Sequence, residues 1–541
     1  MRLRTARPVL LLVVALLGCA GPRPRSTVAT SAVLSSGDAA VLHVLQRLTY
    51  GPRPGDLARV KALGIAAWIE QQLDPARIDD TAVEQALGAL PTLTLSIAAL
   101  HREYPRPDPE LQRRLAAGAM SPREMREQYP PDRRPARIVT ELQAARMLRA
   151  VASERQLQEL MVDFWFNHFN VFAAKGEVRW YLTAYERDVI RPHALGRFGD
   201  LLRATARHPA MLYYLDNWLS RRPGFTPRQG PDAGRATGLN ENYARELMEL
   251  HTVGVDGGYT QADVTEVARA FTGWTIERPR EDARFVFRQA VHDAGDKRVL
   301  GQTIRGGGQR DGEQILDLLV AHPATARFVA GKLVRRFVAD DPPPALVERV
   351  ATAYRTSGGE TRAMLRVIFA APEFRATEAV GAKIKKPTEF VASAARALGA
   401  TADTRGAVAL ARAAAEIGEG FYEAGPPTGY PDRAEAWVNP GALLARMNFA
   451  LALVEGRVPG VQTDLAGLVS GADRTRPEVV LEHLLSAILH GRASTQTRAL
   501  LAAQLRQPEI VRLTADDRGP ANTDAAKLAA LVLGAPEFQR R

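Results

Sequence analysis

Apolar residues recur at three- and four-residue intervals along most of this chain, a spacing that predicts a body built from α-helices. From Ala39 onward the period is clear. Val41, Leu42, Leu45 and Leu48 share one face, and Gly51-Pro52 stops it. A second helix is predicted from about Gly55 to Leu63, and a third carries Trp68, Ile69 and Leu73. Residues 102–136 are crowded with proline and arginine and show no period, so they read as an exposed excursion outside the core. Further helices are expected from about Gly312, Pro323, Ala345 and Thr361. The last of these ends before Ala371-Pro372-Glu373-Phe374, and KLAALVLGAPEFQ repeats that ending at the C-terminus. Each Ala-Pro is a helix stop, because proline cannot continue the hydrogen-bond ladder. The recurrence suggests two loosely divided helical halves derived from one unit. Pro426 opens a rigid Pro-Pro-Thr-Gly-Tyr-Pro loop that leads into a helix from Trp437 to Val454.

Two helices carry an anomaly. Over Gln156 to Phe172, Leu157, Leu160, Met161, Phe164, Trp165, Phe169 and Phe172 fill one arc. Glu159, Asp163, Asn167 and Asn170 fill the other, yet His168 lies near the centre of the apolar arc. Over Asn240 to Val253, Tyr243, Ala244, Leu247, Met248 and Leu250 form the apolar face, with His251 in its middle. A buried imidazole must satisfy at least one polar nitrogen, so both positions demand a partner. Asn242, Arg245, Glu246 and Glu249 take the opposite side, and Asn240 reads as the N-cap. Thr260 and Asp263 then form a capping box for the next helix. From Thr272 to about Ile304 the period shortens. FVFRQAV and KRVLGQTI predict a small antiparallel β insert, with His292-Asp293 in the loop between them.

The N-terminus follows a different logic. Arg2, Arg4 and Arg7 precede an unbroken apolar run from Val9 to Leu17. A permanent membrane span needs about 20 apolar residues, and this run has the length of a signal-peptide core. It ends Leu16-Leu17-Gly18-Cys19, in the manner of a bacterial lipobox, so residues 1–18 read as a lipoprotein signal peptide and Cys19 as the lipidated residue. Residues 19–38 are rich in Pro, Ser, Thr and Gly and predict a flexible tether. The expected location is therefore the cell envelope. Ala20 stands where aspartate is the usual retention signal, which favours the outer membrane facing the periplasm.

Cys19 is the only cysteine, so a lipidated chain has no disulfide, no thiolate metal site and no CxxCH haem attachment. A chain of 541 residues exceeds the roughly 250–300 at which single cores stop growing, and it needs no covalent staples. Net charge is +11, and only eight of the 71 basic residues are lysine. The arginines are dispersed and do not alternate with aromatics, so nucleic acid is not an expected partner. An anionic envelope surface suits the charge better.

The segments RLTYGPRPGDL, DFWFNHFNVF, YLDNWLS, NENYARELMELHTVGVDGGYTQADV, ARAFTGW, HDAGDK and PPTGYPDRAEAW, taken in order, resemble the bacterial family called "domain of unknown function 1800". The resemblance runs from about Val41 to Phe538, with the NENYAREL segment its most specific part. It implies export and supplies no reaction, cofactor or catalytic residue. It also implies a partner: an exported, sulfatase-like protein of the "domain of unknown function 1501" family.

The chemistry stays open between two classes. An enzyme or metal centre would use His168, Glu246 and His251, with His292 and Asp293 from the loop, since imidazoles and carboxylates serve as metal ligands and acid–base partners. Asp163, Asn167, Asp216, Asn217, Asn242, Arg245 and Trp274 would line its cleft, or else belong to solvated helix faces and the core. No HExxH, nucleotide-binding loop or GxSxG elbow is present, so the cofactor is unspecified and a metal ion stays open. The other class, which the many helices and the flexible anchor favour, is a lipid-tethered scaffold that binds an exported partner. The expected architecture is a mainly α multi-helix bundle in two halves, 39–400 and 401–541, with the β insert at 272–304.

Overall fold

A computed structural model describes residues 34, 37–106, 108–128, 130–227, 237–505 and 523–541. Cys19, the signal segment and most of the tether lie outside the described residues. The body is mainly α, as the periodicity predicts. Helix α1 (Asp38–Leu48) is followed by α2 (Asp56–Leu63) and α3 (Ile65–Leu73). Gly64 turns the chain between the last two at φ +86°, a conformation that glycine adopts at little cost.

The 102–136 excursion is exposed but not irregular. It holds short helices over Pro109–Ala116 and Pro122–Gln128 with no buried residue. Local chemistry forms the first of these: proline opens it and the Asp108 side chain caps it, so it needs no core contact.

The centre is built from α4 (Ala136–Ala152), α5 (Gln156–His168) and α6 (Val178–Ala184). Helix α6 runs into a π turn over Tyr185–Ile190, and α7 (Asn242–Glu246) runs into another over Leu247–His251. Helix α5 stops at His168, short of the expected Phe172. The Ala173 N–H instead bonds to the Tyr422 carbonyl, which competes with the helical ladder. Helix α8 (Gln261–Ala270) starts on the Thr260/Asp263 capping box.

The β insert consists of two hairpins. Strand β1 (Trp274–Glu277) pairs antiparallel with β2 (Arg284–Phe287), Trp274 opposite Phe287; β3 (Lys297–Val299) pairs with β4 (Gln302–Ile304). Helices α9 (Gln309–Ala321), α10 (Pro323–Phe337), α11 (Pro344–Ser357) and α12 (Thr361–Ala370) follow. The C-terminal part adds α13 (Pro387–Ala397), α14 (Thr404–Ile417), α15 (Pro440–Val454) and α16 (Ala525–Gly534).

Helices α12 and α16 both end before Ala-Pro, and the phenylalanines that follow, Phe374 and Phe538, are buried. Helix α15 starts three residues after the expected Trp437, because the Asn439 side chain caps it. Helix α14 packs along α4, and α15 along α16. One continuous apolar cluster runs from Val41 to Phe538, so the two helical parts share a core.

Candidate functional site

Helix α5 is buried on both faces, and each face meets different chemistry. Leu157, Leu160, Met161 and Trp165 enter the apolar core. Glu159 and Asp163 are buried as well, so the polar arc faces other charges and not water.

His168 is 2% exposed at the end of α5. Its Nε2 lies 3.0 Å from the His251 carbonyl oxygen, and its Nδ1 lies 2.8 Å from the Nζ of Lys332 on α10. A carbonyl can only accept, so Nε2 must carry the proton and donate. Nδ1 then accepts from the lysine, and the ring is neutral. Burial is the main cause that holds His168 well below its ordinary pKa, and the Lys332 charge acts in the same direction. The His251 carbonyl is free to accept because it ends the π turn and has no partner further along the helix. The two rings lie 6.1 Å apart, and burial lowers His251 to about 3. Lys332 is half-buried, its ammonium 5.4 Å from the centre of the Phe328 ring. Burial, then Arg335, brings it down to about 8.

The other face of α5 joins an ionic network. Arg146 on α4 donates to Asp163 at 2.7 Å and to Glu186 at 3.3 Å. Glu186 lies in the first π turn and also accepts from Arg191 at 3.1 Å and from the Tyr422 hydroxyl. Arg191 reaches Glu159 at 2.6 Å. Beyond Asp163, Lys386 donates to it at 3.1 Å and to Glu419 at 2.7 Å. Burial alone would raise Asp163, but Lys386 and Arg146 hold it below its usual range.

The Pro-rich loop closes over this network. The Asn167 amide donates to the Tyr430 carbonyl at 2.8 Å and accepts from the Tyr430 N–H at 2.7 Å. The Asn170 amide donates to the Ala424 and Pro426 carbonyls, each at 2.9 Å, and the Tyr214 hydroxyl donates to the Gly425 carbonyl at 2.6 Å.

A family model described as "Protein of unknown function (DUF1800)" matches residues 43–540. The chain belongs to that family. No curated protein and no solved structure matches it. The match covers nearly the span on which the resemblance rests, and the whole α5 site lies within it.

The other residues singled out in this DUF1800 chain fall in separate places. Glu246 is half-buried; its carboxyl is raised by burial and then by Glu249. The Asn242 N–H donates to the Asn240 side chain at 2.9 Å, but the N-cap position is taken by Glu241, one residue later than expected. Arg245 pairs with Glu241 at 3.4 Å on the helix surface, and Asp216 pairs with Lys175 at 2.6 Å. Asn217 and Trp274 are core residues. The Asn217 amide donates to the Phe271 and Trp274 carbonyls, and the Trp274 ring is fully buried.

His292 belongs to a different buried cluster. Its Nδ1 lies 2.7 Å from the Thr272 carbonyl, its Nε2 lies 3.0 Å from Asp311, and Lys297 also bonds to Asp311. Asp293 is clamped by Arg269 at 2.8 and 2.9 Å. Among the described residues, no group of three or more His, Cys, Asp or Glu side chains could hold a metal ion. No helix among them is long and apolar enough to cross a membrane.

Two further features were not singled out in the sequence. An open apolar groove of about 430 Å³, lined by Leu34, Val44, Ile65, Ile69, Phe369 and Phe374, runs between α1, α3 and α12. The partners Lys332, Arg146, Glu186, Lys386 and Glu419 were the other omission. Lysine scarcity could have marked two of them. Where nearly every basic residue is arginine, a retained lysine points to a need for a compact charge that can shed its proton. Lys297, Lys383, Lys385 and Lys386 are all buried.

Proposed function

We propose that this is a lipid-anchored protein of the cell envelope whose body carries an acid–base centre, with Lys332 as the proton-exchanging group. The 2.8 Å contact between Lys332 Nζ and His168 Nδ1 carries the reading. It pairs an ammonium brought down to about 8 with a neutral ring whose Nδ1 can only accept. A group titrating near the working pH is suited to take a proton from a substrate and return it. When Lys332 has lost its proton to solvent, the free amine can accept one from a bound C–H, N–H or O–H group. His168 Nδ1 then stabilises the ammonium that results. The anchor is supported by the Leu16-Leu17-Gly18-Cys19 sequence, and Ala20 favours the outer membrane.

Competition labelling of the full chain with trace acetic anhydride across pH 6 to 11 tests the centre. Lys332 should acquire label with a midpoint near pH 8. A midpoint at the ordinary lysine value of about 10.4 would overturn it. The anchor is tested separately: Cys19→Ser should lose labelled fatty acid and leave the membrane fraction.

The apolar groove favours a second reading, in which the body binds the exported sulfatase-like partner implied by the family. Co-purification with that partner that survives Ile69→Asp and Phe369→Asp would count against a role for the groove.

A further inference from the structure

Arg47, Arg336 and Arg541 meet where the N-terminal helix, α10 and the last described residue come together, and all three are 0–2% exposed. Their charges act on one another: Arg541 and Arg336 both press the Arg47 guanidinium down, after burial, to about 9. The carboxylate in direct contact is Glu389, which takes Arg336 through one oxygen and Arg541 through the other, the latter at 3.2 Å. Asp432 and Asp340 are nearby and share the single charge of Lys383, and Asp432 also acts on all three arginines. Among the described residues, Arg336 and Arg541 reach a carboxylate directly, whereas Arg47 bonds only to backbone carbonyls.

The hydrogen bonds show a deficit of acceptors. Arg47 Nη2 donates to the Val338 carbonyl at 3.1 Å and to that of Ala379, and Arg541 Nη2 donates to the Arg336 carbonyl at 3.2 Å. Arg47 Nε and Nη1, Arg336 Nε and Nη2, and Arg541 Nη1 have no hydrogen-bond partner among the described residues. Folded proteins rarely leave buried donors unpaired, and least of all on a charged group. A guanidinium cannot escape by losing its proton at neutral pH.

We propose that these three arginines form a buried binding site for a small monovalent inorganic anion, of which chloride is the commonest. The near-complete burial of all three side chains restricts the ligand to a small one, and the unpaired guanidinium donors call for an acceptor with negative charge. The anion would accept the orphaned N–H bonds and fasten α1, α10 and the C-terminal residue around Glu389. The proposal rests on residues other than Lys332 and does not depend on that reading.

The test uses the full chain in detergent, unfolded thermally in sodium chloride, sodium bromide or sodium gluconate at equal ionic strength. A ligand bound only by the folded state raises Tm with the logarithm of its concentration. Chloride and bromide should raise Tm progressively. Gluconate, too large for the site, should give no such rise. Arg47→Met should abolish the halide dependence. Should that variant fail to fold, crystals of the unaltered chain soaked in bromide supply a second measurement. An anomalous peak among Arg47, Arg336 and Arg541 is the expected result. Equal Tm values in halide and gluconate, or bromide peaks only at the surface, would mean that water fills the site and would overturn the proposal.

Discussion

Lys332 Nζ lies 2.8 Å from His168 Nδ1, and the ring can accept there because its other nitrogen donates to the His251 carbonyl. The lysine charge lowers both histidines, after burial. Replacing it with a neutral side chain of similar length removes a like charge, which should let both rings protonate more readily. In Lys332→Met, imidazole proton resonances of His168 and His251 should titrate at higher pH than in the unaltered chain, while staying below 6.5 because burial persists. Unchanged titration curves would mean that solvent screens the lysine from the rings.

Acid sensitivity follows from buried neutral histidines. His43 and His251 are 1% and 2% exposed, and burial lowers each to about 3. In the unfolded chain both titrate near the ordinary value of about 6.5. Below that pH the unfolded chain binds protons that the folded chain refuses, so stability is intact above 6.5 and is lost as pH falls toward 3. Each ring contributes a slope approaching 1.4 kcal/mol per pH unit, together about 3 kcal/mol per unit. Denaturant midpoints should therefore fall steeply between pH 6 and 5, before carboxylates begin to protonate. A flat profile over that interval would show that both histidines are accessible in the native state.

Lys386 offers a test of the ionic network. It bridges Asp163 and Glu419 while 5% exposed, and Lys386→Met would leave both carboxylates without that cation. Breaking a buried pair from one side costs about 3–5 kcal/mol. Asp163 would retain Arg146 at 2.7 Å, and Glu419 the Thr388 N–H at 3.0 Å, so the lower end of that range is expected. Adding Glu419→Gln to Lys386→Met should recover part of the loss in denaturant unfolding, because the second orphaned charge is gone. A double variant no more stable than the single one would indicate that packing around Lys386, and not its charge, supplies the stability.

Much of the fold could be read from local sequence because local physics sets it. Proline stops α12 at Ala370, and the Thr260/Asp263 box starts α8. His168 stood out because an imidazole in an apolar arc needs a partner. The identity of that partner could not be read, since Lys332 lies 164 residues away. Glu159 and Asp163 show a related limit. A charged arc repeating every four residues has the same pattern whether it meets water or buried cations, and the deciding cations, Arg146, Arg191 and Lys386, come from other elements. The π turn that frees the His251 carbonyl has no counterpart in apolar spacing. Family membership was legible because NENYAREL and its neighbours are long, ordered motifs.

The loop over the network depends on a glycine. Gly429 adopts φ +67°, and a methyl group there would come within 2.5 Å of the Asn167 carbonyl oxygen and also of its side-chain oxygen. Those atoms cannot retreat freely, because the Asn167 amide holds both backbone groups of Tyr430. Gly429→Ala thus meets two penalties, a left-handed backbone and a steric clash, and should cost roughly 1–3 kcal/mol. The effect should be local. Limited proteolysis should cut within residues 424–432 faster in Gly429→Ala, and Asn167→Ala should reproduce that pattern by removing the clasp and not the glycine. If Gly429→Ala lowers stability without exposing the loop to protease, the clasp is not what holds the loop down.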